Sequence, residues 1–156
     1  MSPALAQELE VTRSVSLAPA QPPPSDDFVI IVVFTDLLDI EITDLSGNVV
    51  GEGQHEGKVR CSGNSNCSQA TQLQLNGIEY EYKFKARQAL DPDERRAVVE
   101  GTGTIVRDDK KERFLFTATF EDNRDGTVRV RYEASRPDAS FRVPKSPGTF
   151  GIYSRR

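Results

Sequence analysis

The residues best placed to do chemistry on each other are two cysteines. Cys61 and Cys67 bracket Ser-Gly-Asn-Ser-Asn, five small polar residues that make a loop tip. Both thiols then face each other across a hairpin and can close a short ring. A disulfide is the expected outcome, and two reduced thiols on a hairpin is the alternative. A two-cysteine zinc site needs two further ligands, and the chain offers only its single histidine, His55; no metal and no cofactor are expected. Any Ser-His-Asp or Cys-His relay would have to use that same residue. Gln54-His55-Glu56-Gly57 reads as a turn or a strand entry, so a surface imidazole is the favoured reading and no catalytic residue is named.

Three further patterns are weaker. Glu121-Asp122-Asn123-Arg124-Asp125-Gly126 has alternating oxygen ligands and a sixth-position glycine, as calcium loops do. It departs from them with Glu121 in place of the leading Asp and Tyr132 in place of the twelfth-position Glu. Loops rich in Asp and Asn with Gly are also ordinary hairpin chemistry, and that reading is preferred. Gly101-x-Gly103 opens no helix and is followed by Ile105 rather than Lys-Ser/Thr, which argues against a phosphate cradle. Asn66-Cys67-Ser68 satisfies the glycosylation pattern, but its central cysteine competes with the disulfide.

The only candidate site of any size is aromatic. Tyr80, Tyr82, Phe84, Phe114, Phe116 and Tyr132, with Phe120, recur on one face of successive strands. A barrel of about eight strands either fills its interior with side chains or holds one small ligand there. Buried tyrosine hydroxyls need partners, which suits a ligand with a few polar atoms.

The elements that position these residues are short strands. Asn76-Gly77 sits between alternating apolar runs, the strongest local hairpin signal, because a type I′ turn needs positive φ at both central positions. The register pairs Leu75 with Ile78, Leu73 with Tyr80, Thr71 with Tyr82, Gln69 with Phe84 and Cys67 with Ala86. Glu79, Glu81, Lys83, Lys85 and Arg87 point away. A one-residue slip would expose every aromatic, so this register is strongly set. A second hairpin runs from Phe114, Phe116, Ala118 and Phe120 back through Val128, Val130, Tyr132 and Ala134.

Elsewhere, Phe28–Phe34 is a continuous β-branched run with two apolar faces, which reads as a central strand. Leu38, Ile40 and Ile42 alternate with acids, and Val59 and Cys61 share a face. Asp91-Pro92-Asp93-Glu94 resembles a helix start and predicts a turn or so of helix. Gly101 and Gly103 suggest a bend or bulge. Phe141 and Val143, then Phe150 and Ile152, read as short strands split by Pro144 and Pro147. The fold class is therefore all-β: a single antiparallel meander barrel, with a two-sheet sandwich as the alternative. In size and connectivity it is similar to calycin-like barrels such as lipocalins, or to allene-oxide-cyclase and dirigent barrels. The chain has no Gly-x-Trp signature and no tryptophan, so no family is assigned.

Residues 1–26, rich in Pro, Ala, Ser and Gln without aromatics, read as a disordered leader, and residues 27–156 as the barrel domain. The net charge of −4 leaves no electrostatic footprint for nucleic acid or anionic lipid. No apolar run is long enough for a membrane-spanning helix. Pro3-Ala4-Leu5-Ala6-Gln7 has the small-x-small pattern of signal-peptidase sites without a basic or apolar region before it. Together with a disulfide, it points to an extracytoplasmic protein. Three functions fit this frame: a barrel binding a small, partly hydrophobic ligand, favoured on these grounds; a cofactor-free barrel enzyme using the same cavity; and a filled-core structural or interaction domain.

Overall fold

The structure, a computed structural model, describes residues 28–35, 38–63 and 66–154. The leader expected over residues 1–26 and the Arg155-Arg156 end lie outside the described residues. Among the described residues ten strands follow one another: β1 (Phe28–Phe34), β2 (Ile40–Thr43), β3 (Val49–Ser62), β4 (Cys67–Ser68), β5 (Ala70–Leu75), β6 (Ile78–Asp91), β7 (Arg96–Arg107), β8 (Lys110–Asp122), β9 (Thr127–Ala134) and β10 (Phe141–Ser154). A 3₁₀ turn, Pro137–Ala139, precedes β10.

Eight strands close on themselves. Each pairs antiparallel with the next in the order β1–β3–β5–β6–β7–β8–β9–β10, and β10 pairs back to β1. Strands β2 and β4 lie outside this ring. The fold is thus the meander barrel rather than the sandwich. Closure leaves no free edge in the ring.

The hairpin at Asn76-Gly77 has the expected register, Leu75 opposite Ile78, Leu73 opposite Tyr80 and Thr71 opposite Tyr82. Both turn residues adopt positive φ, 54° and 79°. Beyond Ala70 the ladder ends: Phe84 N donates to Gln69 O, and Cys67 pairs with Cys61 of β3 instead of with Ala86. The Cys61–Cys67 disulfide is present, with Cα atoms 4.0 Å apart. The second hairpin sets Phe120, Ala118 and Phe116 opposite Val130, Tyr132 and Ala134.

Several expectations need correction. Arg87 is buried and does not point away. Two irregularities in β6, between Phe84 and Ala86 and between Arg87 and Ala89, each insert one residue and reverse the inward parity. The bend therefore sits in β6, not at the glycines of β7. Gly103 instead makes room: a Cβ there would lie 2.2 Å from Phe114 Cζ, so the ring can lie over bare backbone. No helix follows Asp91. Glu94 N donates to Asp91 Oδ1 and Arg95 N to Pro92 O, a tight turn between two strands already zipped together. Strand β1 alternates, with Ile30, Val32 and Phe34 buried and Val29, Ile31 and Val33 half-buried outside. Leu38 precedes β2 and is 67% exposed. Finally, Phe141–Ser154 is one strand. Its shift opposite Val128 and Val130 absorbs Pro144 and Lys145, where a missing N–H is tolerated.

Candidate functional site in the barrel interior

Inward positions of β6, β8 and β9 carry the aromatic set. Tyr82 stacks on Tyr132 with centroids 3.8 Å apart and planes within 9°. Phe114 and Phe116 meet Tyr82 edge-on at 5.5 and 5.0 Å. Phe84 meets Phe116 edge-on at 5.6 Å. The edge-on contacts are the T-shaped arrangement that ring quadrupoles prefer. Of the residues expected to line a site, the structure brings Tyr82, Phe84, Phe114, Phe116 and Tyr132 into one cluster. Tyr80 turns to Phe141, 5.0 Å away.

The hydroxyls of Tyr82 and Tyr132 are partnered from within the chain. Tyr82 OH donates to Ala139 O at 2.9 Å, a carbonyl offered by the 3₁₀ turn. Tyr132 OH lies 2.5 Å from Thr71 Oγ1 and 2.7 Å from His55 Nε2. The other ring nitrogen, Nδ1, lies 2.8 Å from Ser146 Oγ. All four residues, Thr71, His55, Tyr132 and Ser146, are fully buried. They come from β5, β3, β9 and β10 and lace opposite sides of the barrel together.

His55 is therefore not a surface imidazole. Gln54–Gly57 is the middle of β3, paired with β5 and handing over to β1 at Gly57. The missed signal was simple alternation: Val59 and Cys61 face inward, and counting back by twos reaches His55. Ser146 could not be found that way, because the irregularity at Pro144-Lys145 shifts parity before it.

Burial governs the protonation of this seam. Desolvation drops the His55 pKa to about 3, so the imidazole is neutral, with one donor and one acceptor nitrogen. Two proton orders satisfy the chain. In one, Tyr132 donates to Nε2 and Nδ1–H donates to Ser146. In the other, Nε2–H donates to Tyr132, Tyr132 donates to Thr71, and Ser146 donates to Nδ1. Burial pushes the Tyr132 and Tyr82 hydroxyls upward, the former partly offset by its bond to Thr71. The Ser146–His55 contact has the reach of a nucleophile and its base. A histidine this hard to protonate is a poor general base near neutrality, however. No carboxylate among the described residues is buried.

The other candidate motifs serve turns. Asp122 accepts from Arg124 N at 2.8 Å and from Arg95 Nε at 2.6 Å, and Asp125 accepts from Thr127 N at 2.9 Å. Among the described residues no group of three or more His, Cys, Asp or Glu could hold a metal ion, and no helix is long and apolar enough to cross a membrane. No protein-family model, curated protein or solved structure matches the chain.

Proposed function

We propose that this barrel is an extracytoplasmic recognition module whose interior is its own packed core and whose binding chemistry lies on its outer wall. One observation carries the reading. Tyr82 and Tyr132, the residues expected to offer hydroxyls to a ligand, stack on each other and spend those hydroxyls on Ala139, Thr71 and His55. A small hydrophobic ligand inside would have to part that stack and leave buried polar groups without partners, which costs about 1–3 kcal/mol for each group. The Cys61–Cys67 disulfide supports an oxidising compartment.

Mass spectrometry of the protein secreted from its expression host tests this. Under native spray the expected result is a single species without adduct, about two daltons lighter than the reduced chain. A small molecule carried in the native species and lost on denaturation would overturn the filled-core reading in favour of an interior ligand site. A reduced mass would overturn the extracytoplasmic part.

A further inference from the structure

On the outer wall of β7–β10, Arg96, Arg129, Arg131 and Arg142 surround Thr119 in a hollow of about 370 Å³, together with Glu121 and Glu133. The register explains the grouping. Arg96 and Arg129 flank Glu121 from either side. One row along, Thr119 is followed by Arg131 and then by Arg142, directly opposite it on β10. Like charges placed directly across an antiparallel pair are destabilising. The fold gains nothing evident from this pairing. Four arginines against two glutamates also stand out in a chain of net charge −4.

The arginines here are loosely held. Arg129 Nε lies 3.4 Å from Glu121, and Arg131 Nη2 lies 3.8 Å from Glu133. Arg142 Nη1 reaches Leu45 O at 3.4 Å. Where this protein uses arginine structurally the geometry is different. Arg136 grips Asp138 through two nitrogens at 3.0 and 2.8 Å, and Arg95 meets Asp122 at 2.6 Å. Charge-assisted bonds of the strong kind fall near 2.7–2.9 Å, about the range of those tight pairs. In the hollow, guanidinium donors keep most of their capacity.

We infer that this hollow binds a tetrahedral oxyanion, the phosphate or sulfate ester group of a small ligand, between the Arg131–Arg142 pair and Arg96 and Arg129 over the Thr119 side chain. The planar guanidinium fork matches two oxygens of such a group, and a divalent anion would neutralise the opposed pair. The acidic remainder of the chain disfavours an extended polyanion and favours a compact ligand. This inference rests on the outer-wall reading above and names its ligand class.

Arginine side-chain NMR tests it. The full chain is titrated with sodium sulfate and, separately, with inorganic phosphate, the ionic strength being held constant with sodium chloride. Saturable shifts of the Arg96, Arg129, Arg131 and Arg142 Nε–Hε signals are expected, with apparent affinity falling at least about tenfold in Arg131→Gln and in Arg142→Gln. Glu133→Gln should bind as well as or better than the parent. Phosphate affinity that rises from pH 6 to 7.5 would identify the phosphate dianion as the better ligand, and a stronger, pH-independent sulfate response would identify a sulfate ester. Shifts linear in anion, equal to those from chloride, or retained in Arg131→Gln/Arg142→Gln overturn the proposal, as does binding of heparin with no response to either small anion. An interior adduct in native spray with these arginine responses intact would remove the filled-core reading alone.

Discussion

Inside the barrel, four polar side chains from four strands satisfy one another. On the outer wall of β7–β10, two arginines face each other across a ladder, and the nearest carboxylate, Glu133, makes only a long ion pair with Arg131 at 3.8 Å. The physics behind the contrast is solvent. A buried donor left unmade costs its full desolvation, so the interior accepts His55, Tyr132, Thr71 and Ser146 only as a complete set. Water screens the outer wall, where an opposed Arg131 and Arg142 cost little and can be kept for another purpose. Local conflict is thus informative only where burial does not enforce its repair.

The contrast can be broken from the inside first. Tyr82→Ala removes a ring that touches Tyr132, Phe114 and Phe116, and should cost about 3–5 kcal/mol in chemical denaturation. A loss below about 1 kcal/mol would mean that the interior already contains room.

Acid is the next largest lever. His55 titrates near its ordinary value of 6.5 in the unfolded chain and at about 3 in the fold. Its folded value is depressed, and its charged form is the protonated one. The contribution is therefore complete above pH 6.5 and is lost as pH falls toward 3. Between pH 6.5 and 4.5 stability should fall by about 1 kcal/mol per pH unit. Urea midpoints of His55→Gln measured over the same range should be nearly flat; parallel slopes for the two proteins would show that another group carries the dependence.

Tyr132→Phe keeps the ring stack but orphans His55 Nε2 and Thr71 Oγ1, for a loss of about 1–3 kcal/mol. A thermal melt unchanged from the parent would show that the hydroxyl chain is dispensable. The smallest effect belongs outside: Arg131→Gln should change stability by no more than about 0.5 kcal/mol, with a slight gain as readily as a loss. A large destabilisation there would mark Arg131 as structural and remove the contrast.

Much of this arrangement was legible in the residues, and the reasons are local. Asn76-Gly77 dictates a two-residue turn, and alternation on either side carries Leu73, Tyr80 and Tyr82 to one face without reference to the rest of the fold. Phe116, Phe120 and Tyr132 follow from the same rule. His55 was within reach of that rule too, by stepping back from Val59, but its polar neighbours and Gly57 resemble a turn. Arg87 and Ser146 were beyond it. Each lies past an inserted residue, and one insertion reverses every inward assignment that follows.

By itself, the sequence determined the all-β class, the two central hairpins and the aromatic face, and favoured a Cys61–Cys67 bond over two free thiols, because each depends on turn chemistry or on neighbours a few residues apart. Only the tertiary structure decided that the ring closes through β10 and β1, that His55 meets Ser146 and Tyr132, and that four arginines share one hollow. Those contacts join residues far apart along the chain, and they depend on irregularities in β6 and β10 whose positions are settled by packing against other strands.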